Sequence, residues 1–186
     1  MFKFTNELGQ EKLDHPFYWL DRDREYILRL TEIGGGQVYH QEGNALTHTL
    51  LVTEAAIKLF GDDKVMVLSA FLHDIGKIET GYEKPNGDWA YPGHSEKGAE
   101  ILSYVYSTQN EDFIKVQWYV RNHIKPLFWK NLKDVEIISE TAPEGCSVRN
   151  LAGLAYCDLM GSWSAEPQTI LKDRLLGFYN TGKISF

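Results

Sequence analysis

Apolar residues recur at helical spacing along most of the chain, and most of these runs end where a glycine, a proline or a polar cap would stop a helix. In WLDRDREYILRLTEI, the positions Trp19, Leu20, Ile27, Leu28, Leu30 and Ile33 lie among charges, and a triple glycine, Gly34 to Gly36, follows. A second helix is predicted from the N-cap Asn44 through ALTHTLLVTEAAIKLF to Gly61. Asp62 or Asp63 caps the third, KVMVLSAFLHDIGK. Its apolar residues cover almost every face, which predicts a central buried helix ending near Gly76.

The stretch ETGYEKPNGDWAYPG is dense in turn formers and aromatic residues and reads as a surface loop able to close over a site. Helical spacing resumes in HSEKGAEILSYVYSTQ and in EDFIKVQWYVRNHIKP, where Pro126 lies just beyond the end. The connection from Leu127 to Gly145 is less regular, and its VEIIS could be a short strand or a helical turn. SVRNLAGLAYCDLMGSW and PQTILKDRLLGFYN complete the helices. No repeat or linker divides residues 1–186, so the pattern predicts an all-α bundle forming one domain.

Composition narrows the function classes. With 43% hydrophobic and 24% charged residues in a 186-residue chain, a globular unit with a sizeable core is expected. The net charge of −7 and the scattered lysines and arginines argue against extended nucleic acid or an anionic membrane as partner. The start, MFKFTNELGQEKLDHPF, contains no apolar stretch of signal-peptide length and no segment approaches a membrane span, so a cytoplasmic location is expected. Cys146 and Cys157 match no zinc or redox spacing and read as core residues.

The chemistry lies in the histidines. Of six, His48, His73, His94 and His123 fall inside or at the ends of predicted helices among apolar neighbours; His15 and His40 do not. A single helix histidine is more often a hydrogen-bonded core residue than a ligand. Four together, beside a carboxylate, are less easily explained that way. His73 and Asp74 are adjacent, so on a continuous helix their side chains diverge by about 100°. They could share a metal only at a helix end or with help from other helices. Asp158 stands in the apolar run LAGLAYCDLMG, which is unusual for a surface aspartate.

The ordered set His48, His73-Asp74 followed by Ile75-Gly76-Lys77, and Asp158 resembles the HD superfamily of metal-dependent phosphohydrolases. HQEGNALTHTLLVTEAA, AFLHDIGK, PGHSEKGAEIL and RNHIKP resemble the HD domain of bacterial CCA-adding tRNA nucleotidyltransferases, over roughly residues 39–161. These 186 residues contain no nucleotidyltransferase domain, so the resemblance does not imply tRNA end synthesis. Nor do they carry the Gly-Tyr-Pro signature of cyclic-dinucleotide phosphodiesterases.

The resemblance implies an HD-type bundle whose central helix carries His73-Asp74, with His48, His73, Asp74 and Asp158 as ligands to a first metal. His94 and His123 would bind a second, with Asp74 bridging; the bland alternative is that His94 caps its helix and His123 hydrogen-bonds near the end of its own. A carboxylate can bridge where a neutral imidazole, with one lone pair, cannot. Imidazole-rich ligation suits manganese, iron, nickel, cobalt or zinc. The implied reaction is attack of metal-bound hydroxide on a phosphate ester or anhydride, with a small phosphorylated substrate such as a nucleotide: a phosphomonoester, a 2',3'-cyclic phosphate or a nucleoside triphosphate.

Asp74 and Lys77 are the expected catalytic pair. Lys77, at i+4 from His73, is also placed by the resemblance to meet substrate phosphate, although a lysine at a helix end can equally serve as a terminal cation. Arg121 and Lys125 are further substrate-binding candidates. Tyr82, Trp89 and Tyr91 could stack on a base or merely anchor their loop. His40 and Glu42 could support the ligands from outside, an ordinary loop role being the default. Two other classes use the same ligands or the same fold: diiron oxygenases of HD type, and a catalytically silent nucleotide-binding module.

Overall fold

The computed structural model describes residues 4–5, 11–12, 26–35, 41–105, 110–164 and 168–184. Trp19, Leu20, His15 and His40 lie outside them. Helix α1, Ala45–Phe60, starts where the sequence puts its cap: the Asn44 side chain accepts from the Thr47 N–H. Asp63 does the same for α2, Lys64–Leu72, through the Met66 N–H. Three further helices follow, α3 (Lys77–Thr80), α4 (His94–Val105) and α5 (Glu111–Asn122), and then α6 (Leu132–Ser139), α7 (Val148–Gly161) and α8 (Thr169–Thr181). VEIIS is therefore helical. Asn131 and Asp134 form a reciprocal capping box that starts α6.

Helix α2 is the central one: it packs on α1, α5 and α7. Met66 and Ala70 enter one apolar cluster, with α1, α7 and α8; Phe71 and Leu72 enter a second, with Ile27, Leu30 and Ile33. Among the described residues the fold is all-α apart from two short antiparallel ribbons. One pairs β1 (Phe4–Thr5) with β2 (Glu11–Lys12), and the other pairs β3 (Tyr82–Glu83) with β4 (Trp89–Ala90). The predicted surface loop is thus a hairpin. Its Trp89 and Tyr91 rings stack, and the Tyr91 hydroxyl donates to the Gly34 carbonyl, which ties the hairpin to the segment before α1.

Two close backbone approaches set the register of the bundle. Phe60 reaches Gly153 at one end of the α1–α7 pair and Val52 reaches Gly161 at the other, where a Cβ on the glycine would lie 2.5 Å from Val52 Cγ2. Asp158, one turn before Gly161, meets His48, one turn before Val52. At Gly76 an added Cβ would lie 2.0 Å from the His94 carbonyl oxygen and 2.5 Å from the Gly98 nitrogen. Backbone atoms cannot turn aside as a side chain would. Gly76→Ala is expected to cost about 1–3 kcal/mol by overpacking. At this chain length that is a fall of roughly 2–12 °C in Tm by thermal melt. Gly177→Ala is the control, since its Cβ would meet nothing within 4 Å and alanine is the better helix former.

Candidate metal centre

The central helix stops at Leu72, four residues earlier than its apolar run suggests, and His73 is its C-cap. From there the chain tightens into bonds spanning three residues: Ile75 N–H to Leu72 O, Lys77 N–H to Asp74 O and Ile78 N–H to Ile75 O. Gly76 packed on the backbone of α4 holds this turn in place. At this helix end both His73 and Asp74 face one cluster, which also draws on α1, α4, α5 and α7. The break also moves Lys77 off the helix of His73 and onto the start of α3.

His73 and His123 share one local device. Each sits just past a helix end and bonds through Nδ1 to the carbonyl three residues before it, Ala70 O at 2.7 Å and Val120 O at 2.7 Å. The last carbonyls of a helix have no intrahelical partner, so they are free to accept. His94, the first residue of α4, uses the loop carbonyl of Tyr91 at 2.9 Å in the same way. A carbonyl only accepts, so Nδ1 carries the proton in all three and the bare Nε2 is left facing inward. His48 points its Nε2 to the same place, with Nδ1 2.9 Å from Glu42 Oε1.

The six side chains meet around the two oxygens of Asp74. Its Oδ2 faces His73 Nε2 at 3.2 Å and His48 Nε2 at 3.5 Å, and Asp158 Oδ1 lies 2.9 Å from His48 Nε2. Its Oδ1 faces His94 Nε2 at 3.3 Å and His123 Nε2 at 3.8 Å. Two sets of three could each hold a metal ion: His48, His73 and Asp158, and His73, Asp74 and His123. His73 belongs to both.

The donor set fits a divalent transition metal. Nε2 atoms approach to 3.2 Å between His48 and His73 and to 3.3 Å between His94 and His123, and bare lone pairs at that range repel unless a cation or a proton lies between them. Three buried carboxylates gather here: Glu42 and Asp158 lie against His48, and Asp74 against the Lys77 ammonium. Lys77 Nζ lies 2.6 Å from Asp74 Oδ2, yet this fully buried oxygen accepts no hydrogen bond of ordinary geometry. Uncompensated negative charge and imidazole nitrogens together are the ligands such metals take.

Protonation differs across the cluster. Burial opposes charge on His48, but hydrogen bonds to Asp158 and Glu42 outweigh it and raise the imidazole to about 9. Burial, reinforced by His73 and His94, pushes His123 down to about 3. Burial lowers His94 too, against the pull of Asp74. For Asp74 burial acts upward, but His73 and Lys77 hold it well below the usual carboxylate range; for Asp158 the His48 bond and His73 do the same. Solvent reaches the cluster at Asp158 and His94, whose side chains are 13% and 14% exposed where the other four are nearly sealed.

The remaining expected residues fall differently. Lys77 is buried, with Nζ 4.6 Å over the Tyr91 ring. Arg121 is exposed at the end of α5, and half-buried Lys125 begins a 3-10 turn, where its charge acts on Glu96, two residues after His94. Trp89 and Tyr91 serve as anchors, and Tyr82 is exposed. Glu42, expected by default to have an ordinary loop role, has its side chain sealed against His48. The only signal in the sequence was a carboxylate just ahead of the His48 helix.

The family model described as HD domain matches residues 45–170, more than half of the chain. A protein named crossover junction endodeoxyribonuclease RuvC, from Borrelia turicatae (strain 91E135), is 29% identical over 80 residues, 43% of this chain and 48% of its own length. The chain spans about half the length of that curated relative. No helix among the described residues is long and apolar enough to cross a membrane.

Proposed function

This chain belongs to the HD domain family, and we propose that it is a metal-dependent phosphohydrolase that hydrolyses a phosphate ester or anhydride of a nucleotide: a phosphomonoester, a 2',3'-cyclic phosphate or a nucleoside triphosphate. One observation carries this reading: four histidine Nε2 atoms face two carboxylates. His48, His73, Asp74 and Asp158 would hold one ion, and His94 and His123, together with Asp74, would hold a second. Bound divalent ions supply Lewis acidity and an activated water as nucleophile.

The protein's own groups do the rest. Asp74 and Asp158 bring the negative charge that retains the ions, and the Nδ1 bonds fix each imidazole before substrate arrives, so no reorganisation is needed during reaction. Lys77 brings a positive charge to the edge of the cluster, where a phosphoryl oxygen is received, and the Tyr91 ring face holds it there. Lys125 and Arg121 draw in the rest of an anionic substrate. A cation in this position favours phosphate chemistry over the oxygen activation of diiron HD proteins. The acidic net charge favours small substrates over DNA, on which the RuvC relative acts by its name.

A hydrolysis screen tests the reading: phosphate esters, cyclic nucleotides, nucleoside triphosphates and a four-way DNA junction, each with manganese, iron, cobalt or zinc, and with oxygen uptake followed in the iron arm. Hydrolysis of a nucleotide is expected, seen as free phosphate from a monoester or triphosphate or as the ring-opened monoester from a cyclic phosphate, and reduced to background in His73→Ala/Asp74→Ala. Lys77→Met should lose about 10–100-fold in kcat/KM, the worth of one charge-assisted hydrogen bond, with metal affinity undiminished. Equal release by wild type and the double variant would sink the reading. Junction cleavage or substrate-dependent oxygen uptake would replace it.

A further inference from the structure

His48 differs from the other three histidines in how its ring is held. His73, His94 and His123 each use the carbonyl three residues back, His73 and His123 a last-turn carbonyl of the helix they follow and His94 the loop carbonyl of Tyr91. His48 stands inside the first turn of α1, where the preceding carbonyls are taken by the helix itself, as Asn44 O is by the His48 N–H. The group its Nδ1 faces is the Glu42 carboxylate, with Oε1 at 2.9 Å in an ion pair. The other oxygen of that carboxylate, Oε2, accepts from the Trp163 N–H at 2.9 Å, and the Gln41 N–H donates to Trp163 O at 2.9 Å. Trp163 lies two residues past the end of α7, the helix that carries Asp158.

We propose that Glu42 is a positioning residue for the metal centre. One oxygen turns His48 so that Nε2 faces the ions, while the other fastens the end of α7 and so sets the distance between Asp158 and His48. The inference rests on the proposed metal centre and extends it to a side chain that touches neither ion nor substrate. Both oxygens are needed at once, which no amide can supply: glutamine has the size of glutamate but only one acceptor.

The test uses zinc alone as probe, its affinity measured in chelator-buffered solution at pH 8.5 for wild type, Glu42→Gln, Glu42→Asp and the surface control Glu54→Gln. Glu42→Gln and Glu42→Asp are expected to bind zinc about 10–100-fold more weakly, the usual cost of losing a partner behind a metal-bound imidazole. Glu54→Gln should match wild type. In zinc-loaded protein the His48 Nδ1–H should give a slowly exchanging nuclear magnetic resonance signal, shifted or lost in Glu42→Gln. A merely structural glutamate would lower the melting temperature and leave zinc affinity and that signal alone, and this result overturns the proposal. Should Glu42→Gln and Glu42→Asp both fail to fold, the wild-type signal decides, because rapid exchange of the His48 proton means that Glu42 does not hold it. Wild type without zinc affinity would sink the metal centre instead.

Discussion

Asp74→Asn is expected to abolish metal binding in both halves of the cluster and, in chelator, to lower the stability of the metal-free protein by about 3–5 kcal/mol, the cost of stripping a buried ion pair of one partner. The Lys77 ammonium is buried and its counterion is Asp74, 2.6 Å away. An asparagine leaves that charge in the core beside the Tyr91 ring face without its carboxylate counterion. Asp74→Asn/Lys77→Met removes both charges and should recover at least half of the lost stability, yet bind no metal. Thermal or urea unfolding of the four proteins of this cycle measures the coupling, expected to exceed about 1 kcal/mol for groups in contact. A metal-free Asp74→Asn as stable as wild type would mean that repulsion among the carboxylates already cancels the Lys77 attraction, and the ion pair would hold nothing together.

The same residues show what a sequence exposes and what it hides. Helix starts were legible because capping is local: Asn44 and Asp63 each bond a backbone N–H three residues on. The Asn131–Asp134 pair was equally local and would have assigned VEIIS to a helix. The end of α2 was not legible, since the apolar run continues to Ile75 and the turn at His73 depends on Gly76 packed against His94 and Gly98. The hairpin was read as a loop because its anchor is the Gly34 carbonyl, 57 residues from Tyr91. Glu42 was hidden for the same reason, one of its partners being 121 residues away. Of the site, residue type and order could be read in advance; the i−3 bonds that aim each ring could be inferred only once helix ends were known.

Metal affinity is expected to rise about 50-fold between pH 7 and pH 9, because at neutral pH an ion entering the cluster must displace the proton of His48. That imidazole is raised to about 9 while His123 is lowered to about 3 and His94 is also lowered, so the last two are already neutral and ready to ligate. Competition by one proton gives a tenfold change per pH unit. The metal-free fold should respond in the opposite sense on the alkaline side. A folded pKa above the unfolded value of about 6.5 gives stability that is complete below 6.5 and lost as pH rises through about 9, roughly 3 kcal/mol over that window. On the acid side the lowered His94 and His123 act the other way: the unfolded chain takes up protons below about 6.5 that the folded chain refuses. Asp74 and Asp158, both held low, add to that loss below about 3.8. In chelator the melting temperature should therefore peak near pH 6.5, and the rise in melting temperature produced by manganese should widen steadily from pH 6.5 to 8.5. A manganese affinity that stays flat across that interval would mean that His48 carries no proton between Glu42 and Asp158, and would leave the cluster preformed for its ions at neutral pH.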